Sequence, residues 1–207
     1  MRLSAIISLF IITSLDSSAQ NAYVKLGQQA FMDGNFKAAV AQLEKACLID
    51  STNSNAYWML GYSYYHSENY RKSVIAYSKA IYINPADATA YYYRARAKGF
   101  LGKDSYLSPD EREKYLLGAI FDLTKAIAID PTQQTKSYQT RAIAYREYGL
   151  FKLQPSSKNY DRVRGVNSLK ASVADLEKVL NENPGRTDIS TLLDVSKEKL
   201  ASATGRH

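Results

Sequence analysis

Residues 54–87 read SNAYWMLGYSYYHSENYRKSVIAYSKAIYINPAD. Tyr57 of this stretch has counterparts 34 residues earlier and 34 residues later, which are Tyr23 and Tyr91. A small residue follows each of these tyrosines by four positions: Gly27, Gly61 and Ala95. Self-similarity at this period is typical of paired antiparallel helices that stack on their neighbours.

The pattern resembles the tetratricopeptide repeat (TPR) family. Its repeat has an aromatic residue at the fourth place, small residues at the eighth, twentieth and twenty-seventh places, and proline at the thirty-second. The resemblance implies an all-α fold, a right-handed α-solenoid of helix-turn-helix repeats with a C-terminal capping helix. It divides the chain into four repeats and a cap: 20–53, 54–87, 88–134 with an insertion, 135–186 with an insertion, and 187–207.

Composition agrees with helices. The 207 residues include only 10 glycines and 5 prolines, so long stretches contain neither residue. A β-sandwich or β-barrel has many turns and would need these residues more often. Small residues let two helices approach closely, and proline ends the second helix of a pair because it cannot continue it. After Pro184, an apolar stripe at helical spacing predicts the capping helix: Ile189, Leu192, Leu193 and Leu200.

The two insertions fall between the paired helices, near residues 103–114 and 154–165. In the first, Ser108-Pro109-Asp110-Glu111 predicts a helix that begins at Pro109, with Ser108 as N-cap and Glu111 in a capping box. The second predicts a loop with a short helical piece. Long loops are often contact sites, yet solenoids also tolerate insertions without a role, and both interpretations stay open.

Charged residues at two places of the repeat vary together. The seventh place is Leu26 and Leu60 in the first two repeats but arginine in the next two, and aspartate occupies the twenty-third place only in those latter two. We therefore hypothesise two structural salt bridges between paired helices: Arg94 with Asp122 and Arg141 with Asp175.

In TPR proteins the first helices of the repeats line a groove, and the resemblance places its walls at the second, fifth, ninth, twelfth and thirteenth places. We expect a peptide or protein segment to bind eight residues there: Gln28, Asn55, Trp58, Tyr62, Tyr65, Tyr92, Arg96 and Arg146. Exposed tryptophan and tyrosine combine large contact area with a hydrogen-bonding group. The competing interpretation is that aromatic residues at helical spacing form the core.

One TPR subgroup captures the terminal carboxylate of chaperone tails with lysine, asparagine and arginine at fixed places. This sequence has other residues there: Val24, Gln28, Met59, Thr89 and Tyr93. The resemblance therefore disfavours chaperone-tail binding.

The formal net charge is +7, and residues 136–170 contain eight basic residues against two acidic ones. One interpretation is a solvated surface that keeps the protein in solution. The alternative function is binding of an anionic polymer or an acidic partner through this basic fourth repeat.

The N-terminus is typical of an export signal. Arg2 precedes an apolar run over residues 3–15, and Ser17-Ser18-Ala19 predicts a signal peptide over residues 1–19, with cleavage near Ala19. We expect a periplasmic or secreted protein that is soluble after cleavage and has no transmembrane segment, a location that disfavours nucleic acid as ligand. The single cysteine, Cys47, cannot form an internal disulfide and is interpreted as a small helix residue.

The sequence contains none of the phosphate-binding, nucleophile-elbow or zinc-protease motifs and no cluster of His and Cys at metal-ligand spacing. We therefore expect no enzyme activity, cofactor or metal. The leading prediction is a scaffold or adaptor of the cell envelope that binds a protein or peptide, acidic in one interpretation.

Overall fold

The computed structural model describes residues 22–155 and 157–205. The predicted signal peptide over residues 1–19 lies outside the described residues. The helices are α1 (22–32), α2 (Phe36–Ile49), α3 (Ser54–His66), α4 (Tyr70–Ile83), α5 (Ala88–Lys103), α6 (Pro109–Ile129), α7 (Gln134–Lys152), α8 (Arg162–Glu182) and α9 (Thr187–Thr204). A short 3-10 helix, Pro131–Gln133, precedes α7. All regular structure in the described residues is helical, which confirms the predicted all-α fold.

Helix starts repeat with the same 34-residue period as the tyrosines. Asn53 and Asp87 each accept a hydrogen bond from the backbone N–H three residues on, at the N-termini of α3 and α5. Asn35 and Asn69 do the same for α2 and α4. These caps satisfy backbone donors that have no partner within the helix, so local sequence sets where each helix begins.

Helix ends follow from the prolines. α4 ends at Ile83, two residues before Pro85, and the same spacing separates the ends of α6 and α8 from Pro131 and Pro184. Since proline lacks a backbone N–H and disfavours helical geometry in the residue before it, each chain segment must leave the helix there.

Residues 22–85 form one compact unit, which contains α1 to α4. A Cβ on Gly61 of α3 would lie 2.9 Å from Cγ of Tyr77 on α4, and one on Gly27 would lie 2.7 Å from Cγ of Leu43 on α2. Leu43 and Tyr77 are both completely buried. Glycine at the eighth place therefore permits a helix contact too close for any side chain.

The described residues from 86 onward form a second compact unit, which contains α5 to α9. One part of its core joins α5 to α6 around Tyr92, Ala95, Ala119, Leu123 and Ala126. Another joins α7, α8 and α9 around Ala142, Leu176, Val179, Ile189 and Leu193. The predicted C-terminal helix is confirmed as α9, and its Ile189 is completely buried against α7 and α8.

Both hypothesised salt bridges are confirmed. Asp122 accepts from Nε and Nη2 of Arg94 at 2.8 and 2.7 Å, and Asp175 accepts from the same two nitrogens of Arg141 at 2.8 Å each. Lys98 is a third member of the first group, with Nζ 2.7 Å from Asp122, and the sequence pattern did not reveal it. Burial lowers the pKa of Lys98, although the Asp122 carboxylate acts to raise it.

The two insertions contact each other. The first forms the predicted capping box, in which Glu111 N–H donates to Ser108 Oγ at 3.3 Å and Ser108 N–H donates to the Glu111 carboxylate at 3.1 Å. The second leaves a loop whose described residues are 153–155 and 157–161, and Asn159 Nδ2 donates to Glu113 Oε2 of α6 at 2.6 Å. The described part of that loop contains no separate helix, and the helical part of the insertion, residues 162–165, is the start of α8. Both insertions thus pack against each other within the second unit.

In the described residues, no helix combines the length and the apolar character that crossing a membrane requires.

Candidate functional site

Aromatic rings form a continuous row on α3. Trp58, Tyr62 and His66 are four residues apart and so share one face of the helix, with ring centroids 5.5 Å and 4.3 Å from one to the next. Phe31 of α1 lies 6.1 Å from Trp58 and 5.2 Å from Tyr62, and Phe36 of α2 stacks on His66 at 4.7 Å. We call these five side chains the aromatic ladder.

The ladder is only partly covered by the protein. His66 is exposed, and the other four members are half-buried. Beside it on α1, Met32 is 71% exposed. The rings pack on one another and remain partly exposed, so the ladder presents an aromatic surface, although the indole N–H of Trp58 itself is buried.

The eight predicted site residues have different environments. Gln28 and Asn55 are exposed, whereas Trp58, Tyr62, Arg96 and Arg146 are half-buried. Tyr65 and Tyr92, which were expected in the groove wall, are instead 7% and 8% exposed. Phe36 belongs to the ladder but was missed. The sequence did contain a signal for Phe36. This residue directly follows the helix cap Asn35, just as the aromatic Tyr70 follows the cap Asn69 one period later.

The two buried tyrosines are covered by their neighbours. The Tyr65 ring packs edge-on against Tyr70 at 5.7 Å. The hydroxyl of Tyr92 accepts a hydrogen bond from Thr140 at 3.3 Å, and its ring packs edge-on against Tyr93 at 5.2 Å. Helical spacing alone does not separate such core positions from exposed ones, because both lie on faces that repeat every three to four residues.

The second unit has cations over tyrosine rings. Lys136 Nζ lies 4.7 Å from the centroid of Tyr92, and Arg96 Cζ lies 5.8 Å from the same centroid. Arg146, the other predicted cation, has Nη2 3.8 Å from Oε1 of its neighbour Glu147. Arg96 and Lys136 thus place positive charge on one aromatic surface between α5 and α7.

Ion pairs with carboxylates outside residues 136–170 offset three of the six surplus basic charges in that segment. Five of the eight cations lie within 4 Å of a carboxylate: Arg141, Arg146, Lys152, Lys158 and Arg164. The partners of Lys152 and Lys158 are Glu113 and Asp110 of α6, far away in sequence. A count of charges along the chain therefore overstates the field that this segment presents to a polyanion.

The single cysteine is poorly suited to react. Cys47 is buried, and burial together with Asp50 and Glu44 raises the pKa of its thiol to about 12, so the thiolate needed for reaction is suppressed. No group of three or more His, Cys, Asp or Glu side chains in the described residues is arranged to hold a metal ion.

Comparisons with known proteins agree with this architecture. Residues 54–87 match the family model described as tetratricopeptide repeat. No curated protein sequence matches the chain.

Solved structures with the same fold are numerous. The crystal structure of MamA protein is 17% identical with a TM-score of 0.69, over 92% of this chain and 85% of that one. A thermophilic TPR protein of Thermus thermophilus is 16% identical with a TM-score of 0.50, over 86% and 98%. An O-GlcNAc transferase mutant of Thermobaculum terrenum is 15% identical with a TM-score of 0.51, over 79% of this chain and 26% of that enzyme. At these identities the likeness establishes the TPR solenoid fold alone.

Proposed function

We propose that this chain, whose residues 54–87 match a tetratricopeptide repeat, is a protein-interaction scaffold of the cell envelope that holds a segment of a partner on the aromatic ladder. The observation that carries the proposal is the row Trp58, Tyr62 and His66, which packs against Phe31 and Phe36 and is only partly buried.

The ladder has the properties of a binding hot spot. Tryptophan and tyrosine bury large apolar area and lose little side-chain entropy when their rings are already packed, and tyrosine adds a hydroxyl group that can form hydrogen bonds. Four residues of spacing match the rise of about one helical turn, so an extended peptide or an amphipathic helix can lie along the row. Burial of Cys47 suppresses the one thiol nucleophile, which supports binding without chemistry.

The envelope location rests on the N-terminal sequence. A charged start, an apolar run over residues 3–15 and small residues before the expected cut at Ala19 form the pattern of an exported protein. Such a location makes a protein or peptide the expected partner.

A pull-down with purified protein tests the proposal. The bait is compared with a Trp58→Ala/Tyr62→Ala variant and with a matched control, Tyr82→Ala/Tyr106→Ala, which removes two aromatic residues that are 84% and 98% exposed outside the ladder. From extracts of the cells that make the protein, we expect the ladder variant to lose a partner that the wild type and the control both retain. Circular dichroism melts verify that each variant folds. Equal capture by all three baits would reject the proposal.

A further inference from the structure

The exposed faces of α2 and α4 have the same alternation of charged and apolar side chains. On each helix a cation, an apolar residue, a second cation and a second apolar or aromatic residue follow at spacings of four, four and three, so they share one face. Each member on α2 has its counterpart 34 residues later on α4, and all eight are exposed. We call them the basic-apolar face: Lys37, Ala41, Lys45 and Leu48 on α2, and Arg71, Ile75, Lys79 and Tyr82 on α4.

The apolar members of this face have most of their surface in solvent. Leu48 and Tyr82 are each 84% exposed, and Ile75 is 62% exposed. Leu48 and Ile75 also line one depression of about 530 Å³, which lies between α2 and α4, so the two helices form a single surface. An exposed apolar patch that is bordered by polar residues is typical of a contact with a protein or a membrane.

The exposed charges on these two helices are all positive. Glu44 is the one acidic residue of α2 and α4, and it is half-buried, with Oε1 3.4 Å from Nζ of Lys72. The other three acidic residues of the first unit, Asp33, Asp50 and Glu68, lie in the connections between helices. An anionic surface is therefore attracted to the exposed side of α2 and α4, where five cations lie: Lys37, Lys45, Arg71, Lys72 and Lys79.

An acidic amphipathic helix and an anionic bilayer both have charge that complements this face, and the exposure of the apolar side chains favours the bilayer. A bound helix is held by the walls of a groove, whereas Leu48 and Tyr82 project into solvent. Projecting apolar side chains can enter the layer between lipid headgroups and acyl chains, where tyrosine is enriched. Flanking lysines can lie along that layer and keep their ammonium groups at the level of the lipid phosphates.

We propose that the basic-apolar face of α2 and α4 binds the surface of an anionic phospholipid bilayer. Leu48, Ile75 and Tyr82 enter the boundary between headgroups and acyl chains, and the cations bind the phosphate groups. This function goes beyond the proposed binding of a partner segment, because the basic-apolar face shares no residue with the aromatic ladder. A chain with both surfaces holds its partner at a membrane.

The test is vesicle cosedimentation of the chain without residues 1–19, because the apolar run over residues 3–15 would itself bind lipid. One set of vesicles contains phosphatidylcholine alone, and the other contains phosphatidylcholine and phosphatidylglycerol in equal parts. We expect the partition coefficient to be about tenfold or more higher on the anionic vesicles and to fall as salt is added. Equal partition onto both vesicles, or none onto either, would overturn the proposal.

Two triple variants with the same net charge test the cations. We expect Lys37→Gln/Lys45→Gln/Lys79→Gln to lower the partition coefficient on anionic vesicles about tenfold or more. The matched control is Lys25→Gln/Lys103→Gln/Lys136→Gln, which removes three exposed lysines that lie outside α2 and α4. If both variants reduced binding equally, the total charge and not this face would be responsible, and the proposal would fail.

Two double variants test the apolar side chains. Leu48→Ser/Ile75→Ser should lower partition about fivefold or more, because it removes apolar area that enters the bilayer. Its control in the same unit is Leu26→Ser/Met32→Ser, which replaces side chains of α1 that are 56% and 71% exposed. Circular dichroism melts verify that every variant folds. Unchanged partition of Leu48→Ser/Ile75→Ser would contradict insertion into the bilayer.

A synthetic amphipathic helix with leucine on one face and glutamate on the other tests the competing partner. If this peptide bound the protein but not Leu48→Ser/Ile75→Ser, and anionic vesicles did not bind, the face would be a protein contact and the lipid proposal would be wrong. Trp58→Ala/Tyr62→Ala should partition onto anionic vesicles as the wild type does. Failure of vesicle binding therefore leaves the aromatic ladder as a partner site standing, and loss of the ladder's partner leaves lipid binding standing.

Discussion

Asp122 is a completely buried carboxylate whose charge is matched by two cations. Arg94 and Lys98 both donate to it, and their side chains are 14% and 16% exposed. Removing one partner of a buried ion pair costs much more than replacing the whole group by apolar residues, because the remaining charge loses its compensation without regaining water. Arginine and aspartate occur together at fixed places of the third and fourth repeats, and this was sufficient to predict their contact. No other repeat has a lysine at the place of Lys98, so the repeat pattern offered no reason to include it.

We expect Asp122→Ala to lower the free energy of unfolding by about 3 kcal/mol. The triple variant Arg94→Leu/Lys98→Met/Asp122→Ala should recover at least half of that loss, since the second repeat places Leu60 and Ala76 at two of these positions. Urea unfolding followed by circular dichroism measures both. If the triple variant were as unstable as Asp122→Ala, the loss of stability would come from altered packing and not from the uncompensated charges of Arg94 and Lys98.

At the scale of elements, caps and prolines could be read from the sequence, and contacts across long sequence distances could not. Ser108 and Glu111 are three residues apart, so their capping box and the start of α6 were predictable. Asn159 and Glu113 are 46 residues apart, and no local pattern joins them. The second insertion was therefore expected to protrude, but Asn159 of its loop lies against α6.

Glu113 is the centre of that contact. It accepts hydrogen bonds from Tyr148 at 3.1 Å, Lys152 at 3.2 Å and Asn159 at 2.6 Å. Burial acts to raise the pKa of Glu113, but the hydrogen bonds from Asn159, Lys152 and Tyr148 outweigh it, and the pKa falls below its usual 4.5. A carboxyl group with a lowered pKa in the folded state stabilises the protein above its unfolded pKa, and this stability is lost as pH falls through the folded value.

We expect Glu113→Gln to be less stable than the wild type by about 2 kcal/mol at neutral pH, because it replaces the carboxylate beside the buried Lys152. The difference should shrink as pH falls below about 4.5, where the unfolded chain takes up the proton, and should vanish below the lower pKa of Glu113 in the folded protein. Urea unfolding across this pH range provides the measurement. Glu177→Gln, which breaks an exposed pair with Lys197, is the control and should have little effect. A difference that did not depend on pH would argue against the carboxylate's role.

At the scale of the whole molecule, the repeat period predicted the fold, but exposure and charge depended on tertiary packing. Tyr65 and Trp58 both occupy α3, yet one is buried against Tyr70 and the other is half-buried in the ladder. The excess of basic residues in 136–170 suggested an anionic partner, and acidic residues from α6 neutralise part of it. Site prediction from sequence fails where distant elements decide which side chains meet.

The ladder contains its own reporter, because Trp58 is the only tryptophan of the chain. The most direct test of the account uses a captured partner segment that contains no tryptophan. This segment is titrated into the protein while the emission of Trp58 is recorded. We predict a saturable change in Trp58 emission whose midpoint equals the dissociation constant from calorimetry, and loss of the calorimetric binding signal with the Trp58→Ala/Tyr62→Ala variant. Binding detected by calorimetry with unaltered Trp58 emission would contradict the claim that the partner lies on the aromatic ladder.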